Sequence, residues 1–188
     1  MVNFAITMDE TMNTCKRDVM ELLTVAVQFC AFVEQPAAMS RREWMDTLLK
    51  LLPLLYLKGA MLPQLDMSDE VELDDYVTED DYNFVRGNAA ALMAEHDDFL
   101  DVFVEDMKYS DTPILCTISE CLADVYQDLK NFAEAYRNGL DEAQTEAVAQ
   151  CRLNFEHYWG QRLLNAMRAL HDVRYGSEDD EWEDERND

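Results

Sequence analysis

Three carboxylates set four residues apart, Glu120, Asp124 and Asp128, are the residues whose type and spacing could do chemistry in this chain. Side chains four apart on a helix are neighbours, so the row forms if the stretch from Tyr109 to Lys130 is helical. Apolar residues at Ile114, Ile118, Cys121, Leu122, Val125, Leu129, Phe132 and Tyr136 recur in threes and fours, the mark of one buried helical face. At about 100° per residue, the acids drift across that helix. Glu120 falls opposite the apolar arc, Asp124 at its edge, and Asp128 about 60° from its centre. An ionised carboxylate turned inward costs several kcal/mol unless it meets a cation, a cluster of donors or a metal.

Two chemistries would satisfy that demand. The first is a buried ion-pair network. Arg162 falls within the apolar arc of Val148, Cys151, Phe155 and Tyr158, and Arg152 lies near its edge; two inward arginines suit two inward carboxylates. On this reading Asp128→Asn strands an arginine and costs about 3–5 kcal/mol. The second is a metal site, with Asp124 and Asp128 as ligands to Mg²⁺ or Mn²⁺, Glu120 assisting, and Arg152 or Arg162 holding a phosphate, as in a metal-dependent hydrolase of a phosphate compound. A second acidic pair, Glu43 and Asp46, has a spacing used by some helical nucleotide pyrophosphatases but carries little weight by itself.

The elements that must position these residues are helical throughout. Asp111 or Thr112 can cap the central helix, with Pro113 at its first position, and Gly139 is placed to end it as a left-handed residue. Before it, a first helix covers Thr11 to Glu34, with Val19, Leu22, Leu23, Ala26, Val27, Cys30 and Val33 on one face. Thr7 and Glu10 have capping-box spacing. A second helix opens at the Ser40/Glu43 capping box, and Pro53 should kink or split it. The residues after Pro53, Leu54 to Leu62, are apolar nearly all round, which suits a core or a homodimer seam. A third helix begins at Thr78 and Asp81, with Tyr82, Val85, Ala89 and Leu92 inward, and is interrupted at His96–Asp98. Asp141 caps a last helix reaching Arg174 and closed by Gly176. Within it, Gly160 leaves room for a neighbouring backbone, His157 faces outward and Trp159 inward. No hairpin signal emerges. The expected architecture is all-α: a single-domain bundle of five or six helices over residues 1–176, with a long C-terminal helical hairpin.

Composition narrows the function. The net charge is −25, and sixteen of those charges come from two segments. One is a loop of about residues 64–77 and its continuation to Asp81; the other is a tail, 177–188, expected to be disordered. Direct nucleic-acid or anionic-membrane binding is disfavoured, because both rely on basic side chains meeting phosphate. The longest strongly apolar run, Leu51 to Leu57, is too short to span a bilayer, and no signal core precedes it. A cytoplasmic location with five reduced thiols at Cys15, Cys30, Cys116, Cys121 and Cys151 is expected. Five glycines leave no phosphate-cradling loop, and His-Glu-x-x-His and Glu-x-x-His patterns are absent, which removes P-loop, Rossmann, zincin and di-iron bundle chemistry.

Three segments, LLPLLYLKGAMLP from Leu51, YSDTPILCTISECLADVYQDLKNF from Tyr109 and NFEHYWGQRLLNAMRALH from Asn154, resemble a family of uncharacterised bacterial proteins, a domain of unknown function frequent in Bacteroidetes. The likeness spans about Thr14 to Tyr175 and includes the Asp-Thr-Pro start, the Glu120, Asp124 and Asp128 row, and the Trp-Gly-Gln turn. It implies a compact all-α cytoplasmic protein and brings no activity, cofactor or catalytic residue. The function expected is therefore a non-enzymatic interaction or accessory module for a protein partner, a basic one being the match to its charge, with no obligatory cofactor. The Mg²⁺- or Mn²⁺-dependent hydrolase is the alternative.

Overall fold

A computed structural model describes residues 8–35, 39–68, 70–101 and 113–176, with side chains from residue 15 onward. It is a helical bundle. The order is α1 (Met8–Val33), α2 (Arg41–Ala60), α3 (Glu79–Met93), β1 (Asp98–Asp101), β2 (Ile114–Thr117), α4 (Ile118–Asn138), α5 (Asp141–Asn154) and α6 (Gly160–Tyr175). A π turn, Phe155–Trp159, joins α5 to α6 without a break, so the two read as one long C-terminal helix folded back on α4. The acidic tail, the Thr7 cap and the proposed caps Asp111 and Thr112 lie outside the described residues.

Local chemistry accounts for the helix starts. Ser40 and Glu43 cap α2 reciprocally, and Thr78 and Asp81 do the same for α3, each pair satisfying N–H groups that a helix end leaves open. Pro53 sits inside α2 without splitting it. The central helix begins at Ile118, five residues later than Pro113 suggests. Ile114–Thr117 is instead a strand, paired antiparallel with Asp98–Asp101, and Thr117 caps α4 by accepting the Glu120 N–H. Asp97, buried just before β1, accepts from the Ser119 N–H at 2.8 Å and the Ser119 hydroxyl at 2.6 Å. A carboxylate is favoured at a helix N-terminus, where the macrodipole is positive. The small sheet thus delivers Asp97 to the start of α4, a long-range contact that no local pattern announces.

Trp159, Phe29, Leu22, Met45, Leu48, Leu52, Leu122, Leu129 and Leu163 are fully buried at the centre. Ion pairs fasten the helices around them: Lys58 to Glu21 at 2.6 Å joins α2 to α1, Lys130 to Glu34 at 2.9 Å joins α4 to α1, and Arg174 to Asp46 at 2.7 Å joins α6 to α2. The acidic pair Glu43 and Asp46 is thereby occupied, one in a cap and one in this bridge.

Two glycines differ from their expected roles. Gly139 ends α4 at φ −79°, not in the left-handed region; it is required because a Cβ there would stand 2.7 Å from the Ala135 carbonyl and 2.9 Å from the Ala143 Cβ. The glycine that admits a neighbouring element is Gly59 on α2, where a Cβ would meet Trp159 at 2.6 Å and Phe155 at 2.8 Å. At Gly160 the crowding group is the Phe155 carbonyl of its own π turn.

Candidate functional site

The α4 carboxylates go to three different partners. Glu120 is exposed and reaches Arg86 of α3 at 3.5 Å. Asp124, 9% exposed, receives the Tyr82 hydroxyl at 2.9 Å on one oxygen and faces the Arg162 guanidinium at 3.1 Å on the other. The Arg162 guanidinium also lies 5.5 Å above the Tyr158 ring, and burial together with Asp124 raises the Tyr158 phenol above its ordinary value. Both Asp124 oxygens are therefore engaged, while the Arg162 side chain stays partly open to solvent.

Arg152 does not join that unit. Its guanidinium donates to the carbonyls of Gly59 and Ala60, at 3.1 and 2.8 Å, and pairs with Glu156. It closes the C-terminal end of α2, where carbonyls lack helical partners. Asp128, the residue expected to meet an arginine, instead accepts from the Asn154 side-chain amide. With no cation among the described residues beside it, its carboxyl is pushed up to about 6, first by burial, against the Asn154 bond, with the charge of Asp124 adding to the rise.

Asp128 opens into a cavity of about 450 Å³ between the α4–α5 hairpin and the acidic loop. The described residues of that loop, 63–68 and 70–77, have no regular structure, but the loop is tied down at two places. The Ser68 N–H donates to Glu146 at 2.8 Å, and the Tyr76 and Val77 N–H groups both donate to Asn131 at 2.9 Å. Leu73, Tyr76 and Val77 also pack against the core. The loop is thus a fixed strap, held by side chains of α4 and α5 that replace its missing backbone partners.

Glu146, Asn131, Gln150 and Asn154 are the cavity residues that spacing arguments passed over. The signal was present on α5: Glu146, Gln150 and Asn154 form a row four apart beside the apolar Ala147, Val148 and Cys151, facing the Asp124–Asp128 row across the hairpin. Glu146 is only 4% exposed. The π turn explains a second difference. It inserts a residue into the helical phase, so the buried positions run Phe155, Trp159, Leu163, Ala166 and Leu170, while Tyr158 is turned out and 44% exposed.

Among the described residues, no group of three or more His, Cys, Asp or Glu side chains is placed to hold a metal ion. Burial pushes the Cys30 and Cys121 thiols up to about 12 and raises Cys151 further, which suits inert core thiols better than nucleophiles. No helix among the described residues is long and apolar enough to cross a membrane.

Residues 13–176 match the family described as Domain of unknown function (DUF5063). The chain belongs to this family. It is also similar to a solved crystal structure, protein BF1032 from Bacteroides fragilis, at 44% identity, with 85% of this chain and 94% of that chain covered and a TM-score of 0.76. Among curated proteins no match is found.

Proposed function

We propose that this DUF5063 protein is a non-enzymatic binding module that docks a basic segment of a partner protein on its strap face. The observation that carries the reading is the fixed display of acids on the strap. Glu72, Asp74 and Asp75 are exposed and belong to a run of nine acids without a base between Asp66 and Asp81. A solvated acidic loop would relieve its self-repulsion by spreading into water. This one is clamped by Glu146 and Asn131, so the native state holds like charges together, and a basic partner relieves that repulsion on binding.

The geometry gives the hydrolase alternative no comparable support. Its three carboxylates diverge, Asp124 is neutralised by Arg162, and Arg152 is spent on the end of α2.

Fluorescence anisotropy with a labelled peptide of alternating lysine and glycine tests the reading. The full chain should bind it at about 50 mM salt and release it as salt rises, since exposed charge pairs are screened. Glu72→Gln/Asp74→Asn/Asp75→Asn should weaken binding at least about tenfold, whereas neutralising three tail acids, Glu181, Glu183 and Asp184, should change it by less than about threefold. Absence of binding at low salt, or equal effects of the two triple variants, would overturn the proposal.

A further inference from the structure

The strap accounts for an acidic face, but not for what lies beneath it. Two carboxylates on different helices, Asp128 of α4 and Glu146 of α5, line the same cavity. Glu146 is nine-tenths buried and more, and its sole hydrogen bond among the described residues is the one from the Ser68 N–H. Asp128 has Asn154. Among the described residues neither has a Lys, Arg or His partner, and none that lines the cavity is basic. Asp124, the buried carboxylate of α4, is by contrast balanced by Arg162. A buried carboxylate without a counter-charge is normally paired by something; Glu146 is buried, Asp128 is half-buried, and a cavity open to solvent on one side lies between them and the strap.

The walls say what kind of cation fits. Leu73, Phe132, Ala135 and Ala147 offer an apolar lining, while Gln150 and Asn154 add polar amides near the carboxylates. The volume, about 450 Å³, lies in the range of small-ligand sites. A metal ion would need three or more converging ligands, which the described residues do not supply, and would leave the apolar wall unused. A guanidinium makes its best contact as a flat fork on one carboxylate. An ammonium is a compact point charge with three donors on a flexible four-carbon stem, able to sit between two carboxylates borne on separate helices while its methylenes cover the apolar wall.

We infer that the cavity beneath the strap is a socket for the ammonium of a lysine side chain presented by the basic partner, with Asp128 and Glu146 as its two counter-charges. This rests on the interaction reading above and gives it a specificity that surface charge alone lacks. The strap acids Glu72, Asp74 and Asp75 stand on the same cavity wall and draw the cation in. Charged and titratable groups facing Asp128 are Asp124 on its own helix, Glu146 and Cys151 on α5, and the strap acids; none is basic. Binding therefore strengthens as pH rises through the range in which Asp128 loses its proton.

The test compares the lysine–glycine peptide with its arginine–glycine counterpart, equal in charge, by calorimetry on the full chain. Asp128→Asn and Glu146→Gln keep an amide oxygen for the Asn154 and Ser68 donors, so both should fold, which circular dichroism checks. The socket predicts that lysine is preferred over arginine by about tenfold or more at pH 8, that the preference shrinks at pH 5, and that the double variant abolishes it. Equal affinity for the two peptides, or a preference that survives in the double variant, would overturn the socket while leaving the interaction module standing. Failure of both peptides to bind would overturn both. If free 1,5-diaminopentane binds more tightly than the lysine peptide, the ammonium belongs to a small amine and the assignment to a partner's lysine is overturned.

Discussion

Asp128→Asn should stabilise this protein, and the gain should depend on pH. The Asp128 carboxyl stands at about 6 in the fold against an ordinary 3.8, because it is partly desolvated with only Asn154 to bond it and Asp124 nearby. At about 1.36 kcal/mol per pH unit, its ionisation costs the native state about 3 kcal/mol at pH 8 and about 1.6 kcal/mol at pH 5. A carboxyl whose folded value is raised contributes its full stability below the unfolded value and loses it as pH climbs through the folded one. Asparagine carries no charge at either pH and still offers an oxygen to Asn154. The variant should therefore gain about 3 kcal/mol at pH 8, with about 1.4 kcal/mol of that gain disappearing by pH 5. Urea unfolding of both proteins at the two pH values, followed by circular dichroism, measures the difference directly. A variant less stable than the parent at pH 8, or a gain equal at both pH values, would refute the reasoning. The ion-pair expectation from sequence alone has the opposite sign, since it placed an arginine against Asp128.

One turn earlier, Asp124→Ala should destabilise by about 3 kcal/mol in the same assay, because it leaves the Arg162 guanidinium and the Tyr82 hydroxyl without their acceptor. Gly59→Ala should cost about 1–3 kcal/mol in urea unfolding, the added methyl being forced against Trp159 and Phe155. Thr117→Ala removes the cap of α4 and should lower stability by about 1 kcal/mol, visible as a lower melting temperature.

Features carried by neighbours in sequence were readable in advance. The capping boxes at Ser40/Glu43 and Thr78/Asp81 need only four residues each, and the helical arc around Val125 needs one period. The phase of α4 put Glu120 outside, Asp124 at the edge and Asp128 nearer the buried centre; Glu120 is exposed, but Asp124 is the buried one and Asp128 only half-buried. What required the fold was the choice of partner. Arg162 and Arg152 lie ten residues apart on what reads as one helix, yet the π turn between them alters the phase, and they end on different faces, one at Asp124 and one at the end of α2. Glu146 lies on the cavity side of α5, and its burial depends on the strap, whose Ser68 N–H it accepts from far away in sequence. Ile114–Thr117 carries helical spacing as well as strand-forming residues, and its pairing with Asp98–Asp101 decided between them.

The proposed socket requires that Asp128 have no counter-charge until an ammonium arrives. Carbon-13 NMR of its side-chain carboxyl, titrated from pH 4 to 8 in the full chain with and without a saturating lysine–glycine peptide, tests that most directly. The prediction is a midpoint near 6 in the free protein that falls towards or below the ordinary carboxylate range once the peptide is bound. A free midpoint near 4, or one that the bound peptide leaves unmoved, would contradict it.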